Sequence, residues 1–156
     1  MTFKLIDILV EVLDGVETKV VDTNNKPLIM YHGGSWSGTD DFMGDAWFTS
    51  DRSGAAHYAK QIGGNIKRAY LIVKNPLYSG DLKNMKIKMT PSIAKKLKVR
   101  NNTNSITIGN DGYIKYLETN AAVLLAKDLG FDGVIDIENN KILDVVVFSP
   151  RQIVLK

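Results

Sequence analysis

The chain has 156 residues, of which 44% are hydrophobic and 24% charged, with a formal net charge of +3 and no cysteine. That length suits one domain able to bury most of its own surface, so no disulfide or structural metal is needed to hold it. The lack of cysteine excludes thiolate zinc sites and cysteine nucleophiles, and the acids inside the N-terminal apolar pattern exclude a signal peptide or membrane span there; a cytoplasmic protein is expected.

In chain order, Phe3, Ile6, Leu9, Val10 and Leu13 recur at helical spacing, with Leu5, Ile8 and Val12 widening the apolar face. They predict an amphipathic helix over Thr2–Leu13, ended by Gly15. A weak strand is expected in Thr18–Val21, then a turn through Asp22–Pro27. Leu28–His32 reads as a strand running into Gly33 and Gly34, and Ala46–Ser50 as another. Ser50 is expected to cap a helix over Asp51–Lys60, with Asp51 in its first turn, where the helix dipole favours an anion. The run Ile62–Asn65 stops that helix. Lys67–Pro76 predicts a strong strand closed by Asn75-Pro76, and Thr90–Lys98 a short helix with Pro91 near its start. Arg100–Gly112 reads as loop with one edge strand. Thr119–Gly130 predicts a helix with Gly130 at its end. Asp132–Ile137 and Ile142–Ser149 are strands joined by the polar turn Glu138–Lys141, and Arg151–Lys156 is a last edge strand.

Strands fall in pairs rather than alternating with helices. The expected fold class is therefore α+β, with a mostly antiparallel or split sheet. No repeat or linker is visible, so a single domain over 1–156 is expected, with its core over roughly 27–153 and a variable basic loop segment over 80–120.

Charge is unevenly spread. Lys60–Arg100 holds eleven Lys or Arg and a single acid, Asp81, a net +10 that leaves −7 on the rest. Such a segment favours an acidic or polyanionic partner, although a solvated lysine-rich surface has the same composition.

Three residues carry candidate chemistry. Tyr58 sits three and four positions after Ala55 and Gly54, on one helix face, where a Gly costs about 1 kcal/mol relative to Ala. Its ring would overlook a small-residue clearing beside Trp47, a pair suited to a flat ring ligand or to ordinary helix-on-sheet packing. His32 precedes two glycines, which would let a ligand approach the main chain or would simply serve a turn. Asp144 lies in an apolar strand, sharing a face with Ile142, Val146 and Phe148, where a carboxylate is costly unless the strand lines a cleft. Glu138 is a competing acid in a solvated turn, and His57 points away from Tyr58 and takes no role. No phosphate-loop, dinucleotide-fingerprint, calcium-loop or serine-hydrolase motif occurs, and zinc is not expected.

Three blocks, in this order, resemble the ADP-ribosyltransferase fold of the His-Tyr-acid type, shared by diphtheria-toxin-like and poly(ADP-ribose) polymerase-like domains. "MYHGG" resembles the family's first strand. "DAWFTSDRSGAAHYA" resembles its strand-and-helix block, with the two aromatics, Trp47 and Tyr58, eleven residues apart. "LGFDGVIDIENNKILDVVVFSPRQI" resembles its terminal hairpin, with Asp144 at the acid position. The small ADP-ribosyltransferases of phages and mobile elements are the nearest in kind.

The resemblance implies NAD as substrate and no metal. It implies that His32 bonds the adenosine-side ribose, that the Gly33 main chain holds the nicotinamide carboxamide, and that Trp47 and Tyr58 sandwich the ring. Ser50 joins the dinucleotide-binding set, and Asp144, His32 and Tyr58 form the catalytic set, with Asp144 beside the nicotinamide ribose. The family's usual acid is Glu, one methylene longer, and its first aromatic is Tyr. The short acid points to transfer of a single ADP-ribose. The expected activity is mono-ADP-ribosylation of a host or competitor macromolecule, an acidic protein or a nucleic acid docked on Lys60–Arg100, with no membrane partner. The alternatives are a weakly active inhibitor of the same fold and an NAD glycohydrolase.

Overall fold

The computed structural model describes residues 17–34, 45–78, 86–88, 91, 105–107 and 123–156, with 86–88 and 105–107 described as backbone only. The predicted helices over Thr2–Leu13 and Thr90–Lys98 fall outside these residues, apart from Pro91. Nine strands and two helices are named. They are β1 (Met30–Gly34), β2 (Ala46–Thr49), α1 (Arg52–Ile62), β3 (Asn65–Leu71), β4 (Pro76–Tyr78), β5 (Lys86–Lys88), β6 (Ser105–Thr107), α2 (123–128), β7 (Gly133–Glu138), β8 (Lys141–Val147) and β9 (Ile153–Leu155). A short 3-10 turn, Pro150–Gln152, precedes β9.

Seven strands form one sheet in the order β4-β7-β8-β2-β1-β3-β9, and β5 and β6 pair separately. Every neighbouring pair is antiparallel except β4–β7. The α+β class with a mostly antiparallel sheet is the observed one. β4 is a departure from expectation, because Asn75-Pro76 starts a strand there instead of only ending one. A proline fits at the first position of an edge strand, where its missing N–H takes nothing from the ladder.

One face of the sheet carries the main core of Met30, Ala46, Phe48, Ala69, Leu71, Ile135, Val145, Val147 and Ile153, closed by Val20 and Val73. Burying each of the larger side chains contributes about 1.5–3 kcal/mol. The period of two sends Tyr31, Gly33, Trp47, Thr49, Asp144 and Val146 to the opposite face, where α1 lies.

The hairpin β7–β8 turns at Asn139 and Asn140, with φ of 51° and 61°. This left-handed pair is the two-residue turn that matches the twist of the strands, and Asn tolerates it. Asp136 faces Asp144, whereas Ile137 faces Ile142, so β8 carries one extra residue, Leu143. That bulge corrects the expected face. Asp144 shares its side with Val146, while Ile142 packs against the main core on the other side.

The terminal motif has a structural explanation. Gln152 Oε1 accepts from Phe148 N–H at 2.9 Å and Ser149 N–H at 3.0 Å, and its Nε2 donates to Ile72 C=O at 3.1 Å and Asp132 C=O at 2.7 Å. The Asp132 carboxylate accepts from Lys74 N–H at 2.8 Å and Asn75 N–H at 2.9 Å. These two side chains tie the loops before β4, β7 and β9 together. Among the described residues no helix is long and apolar enough to cross a membrane.

Candidate active site

Helix α1 starts one residue later than the sequence predicts. Asp51, not Ser50, is its N-cap, and the Asp51 carboxylate accepts from Ser53 N–H at 3.0 Å. The same carboxylate fills part of the space that Gly54 leaves, standing 3.1 Å from where a Cβ would be. The expected clearing beside Tyr58 is therefore partly a cap. The helix ends at Gly63, with φ of 69°.

The two glycines after His32 are neither a turn nor left-handed. Both lie in β1. A Cβ on Gly33 would stand 2.1 Å from Ala55 C=O, so its absence lets α1 lie directly on the strand. A Cβ on Gly34 would stand 2.6 Å from His32 Nε2, so its absence makes room for the imidazole. Each glycine thus clears a different neighbour.

The strand edge at Gly33 follows from hydrogen-bond parity. Ser50 N–H donates to Leu143 C=O at 2.8 Å, and Lys156 N–H donates to Arg68 C=O at 3.0 Å. Along an antiparallel ladder the polar groups of successive residues face alternate neighbours. Trp47 and Thr49 therefore aim their N–H and C=O at β1, and Tyr31 and Gly33 aim theirs at β2. Yet β1 and β2 are in register at one pair, Tyr31↔Thr49. Continuing that register would set Gly33 across from Trp47. Instead the Trp47 carbonyl accepts from His32 Nδ1–H at 2.6 Å. The ring also tilts against Phe48, with centroids 5.3 Å apart. His32 thus holds the two strands where they part and takes the acceptor that Gly33 would otherwise use.

Two aromatics lie on the α1 side of the sheet. Trp47 is 39% exposed and Tyr58 55% exposed, the two exposed aromatic side chains among the described residues. Trp47 projects from β2 on the α1 side of the sheet. At 100° per residue, laying Ala55 and Ala59 on Gly33 sends Tyr58 to the flank of α1 that overlooks β2. Exposed large aromatics of this kind offer flat faces on which a planar ring can stack.

Asp144 lies on that same face, directly across from Thr49 on β2 and from Asp136 on β7. Burial pushes its carboxyl above the ordinary 3.8, a hydrogen bond from the Thr49 hydroxyl works the other way, and the negative charges of Asp136, Asp51 and Glu138 raise it further. A half-buried carboxylate held among other acids is poised to meet positive charge.

Ser50 stands apart from this set. It lines a cavity of about 320 Å³ with Val21, Leu28, Ile137 and Ile142, residues of the core side of the sheet. His57 is exposed and accepts from Gln61 Nε2 at 3.0 Å. Glu138 is exposed beside the hairpin turn. Sequence reasoning missed Thr49, which touches Asp144 from the neighbouring strand, and Asp136, which faces it. The signal for both was register, which no local pattern contains.

The family model described as "ADP-Ribosyltransferase in polyvalent proteins" matches residues 22–154, and the chain belongs to that family. No curated protein and no solved structure matches it.

Proposed function

We propose that this member of the polyvalent-protein ADP-ribosyltransferases uses NAD to place a single ADP-ribose on a macromolecule. The observation that carries the reading is the pairing of two exposed aromatics, Trp47 and Tyr58, with the half-buried carboxylate of Asp144 on one face of the sheet. In this reading Trp47 and Tyr58 hold the nicotinamide ring. The main-chain N–H and C=O of Gly33 hold its carboxamide, and His32 Nε2 faces the adenosine-side ribose. Ser50, which lines the cavity on the core side of the sheet, takes no part in this reading.

Leaving of nicotinamide builds positive charge on the ribosyl carbon. A fixed carboxylate aimed at that charge stabilises it with no reorganisation, an effect of the size of a lost oxyanion-hole donor, about 10²–10³ in rate. The shorter reach of Asp144 relative to Glu is matched to a single transfer rather than chain growth. The basic stretch Lys60–Arg100 docks the target in this reading; of it, Lys60, Arg68 and Lys74 are exposed among the described residues. The working place is the host cytoplasm, reached from a phage or mobile element.

The test uses labelled NAD, the full chain and a cell lysate. Transfer predicts free nicotinamide together with one discrete labelled product, and Asp144→Asn lowers both at least a hundredfold. Nicotinamide without labelled macromolecule selects hydrolysis. Neither product, with a tightly held partner, selects the inhibitor.

A further inference from the structure

Helix α1 divides its face of the sheet into two flanks of opposite charge. It runs in the direction of β1, starting at Asp51, whose N–H donates to Thr49 Oγ1 at 3.1 Å, and ending where Asn65 faces Gly34. The turn that lays Ala55 and Ala59 on Gly33 sends Tyr58 and Gly54 toward β2 and sends Arg52, Ala56 and Lys60 toward β3. On the β2 flank stand Asp144, Asp136 and the capping Asp51. On the β3 flank the sheet itself is basic. Arg68 lies directly across from Tyr31, and Lys156 lies next to Arg68, bonded backbone to backbone. Beside them is Tyr70, with Lys156 Nζ 5.7 Å from its ring centroid.

Arg52, Lys60, Arg68 and Lys156 are all exposed. The ion pairs among the described residues are Lys19–Glu17 and Lys127–Asp45, so none of these four cations pairs with a described acid. A solvated surface of mixed sign, the ordinary arrangement, would interleave acids here. Instead four cations share one side of a helix, with Arg68 on β3, Lys156 just past β9 and the Tyr70 ring beneath the lysine.

The same row of opposed residues continues through Thr49 to Asp144. At about 4.8 Å per strand, Asp144 is roughly 14 Å from Arg68 and 19 Å from Lys156 at the backbone. A ligand bound on the shoulder therefore reaches the acid without leaving this face.

We propose that the shoulder formed by Arg52, Lys60, Arg68, Tyr70 and Lys156 binds a single-stranded nucleic acid, and that α1 separates this strand's phosphates from the acids of the cleft. Cations track the backbone, and an aromatic ring with a lysine over it lies among them, the combination used for single strands. An acidic polypeptide would use the cations but has no use for the ring. The inference deepens the transferase reading by naming the acceptor's class, and rests on it for the acceptor role but not for binding.

The experiment is fluorescence anisotropy of a labelled ~16-nucleotide single strand with the full chain, read across salt. Four phosphate contacts predict a slope of log affinity on log salt of about −3, hence a loss of about fiftyfold between 50 and 200 mM. The triple variant Arg52→Ala/Arg68→Ala/Lys156→Ala is expected to bind at least tenfold more weakly and to bring the slope to about −1. Its melting temperature and its release of nicotinamide from NAD alone should match the parent's. Unchanged affinity and slope in the triple variant overturn the proposal, and so does competition by polyglutamate as effective as by unlabelled oligonucleotide. No nicotinamide release from the parent chain, with oligonucleotide binding intact, defeats the transferase reading and leaves the shoulder standing.

Discussion

Strand β2 has two edges with different fates. Along β8 it is in register at all four residues, from Ala46↔Val147 to Thr49↔Asp144. Along β1 it is in register at one, Tyr31↔Thr49. The β8 edge closes because Val145, Val146 and Val147 are buried on both faces and reward continuous contact. The β1 edge opens because His32 takes the Trp47 carbonyl and because Gly33 draws α1 down onto the strand. An opening in a sheet is thus built by three residues that individually look like packing.

The contrast between the edges can be broken most severely at Gly33. Gly33→Ala would set a methyl against a helix backbone oxygen, which cannot rotate away, so α1 must lift. A destabilisation of about 3 kcal/mol is expected in urea denaturation, at the upper end for overpacking. A change below about 0.5 kcal/mol would mean that α1 is not seated as described.

Removing the wedge itself should do less. His32→Ala leaves the Trp47 carbonyl without its donor, for about 1–2 kcal/mol of stability. It should also raise KM for NAD more than it lowers kcat. Equal stability with an unchanged KM would show that the opening does not depend on the imidazole.

The smallest effect sharpens the closed edge and has the opposite sign. The folded state raises the Asp144 pKa above 3.8 mainly through burial, so folding disfavours its ionised form. Stability from this group is therefore present at low pH and is lost as pH rises through the raised value. Asp144→Asn should melt higher than the parent at neutral pH, and the difference should shrink toward zero as pH falls below the ordinary carboxylate range. A thermal melt series over pH checks this, and a variant that melts lower at neutral pH would contradict it. Gain in stability on neutralising a buried carboxylate, with loss of turnover, is the exchange expected if Asp144 serves the proposed reaction.

Much of the candidate site could be proposed residue by residue. Trp47 and Tyr58 stood out as aromatics at a fixed separation, and Asp144 as an acid in an apolar strand. The hairpin turn at Asn139-Asn140 and the stop at Gly63 were readable because left-handed residues have a short menu. The meaning of Gly33 and Gly34 was not readable. A turn and a close approach demand the same residue, and only the partner distinguishes them. Ser50 and Asp51 are both good caps, and the start of α1 was settled by which one the sheet's end left in place. The facing of Ile142 was misjudged because a bulge shifts the period of two without any residue announcing it.

Local sequence therefore determined most of the described elements, their turns, and the kinds of side chain available for chemistry, because dihedral preference and periodicity act over a few residues. Tertiary structure alone decided that Asp136, Asp144, Thr49, Tyr31 and Arg68 form one row across the sheet, drawn from five strands far apart in the chain. It also decided that one helix keeps acids on one flank and cations on the other. Register and helix placement are set by burial summed over the whole core, and no short stretch carries that sum.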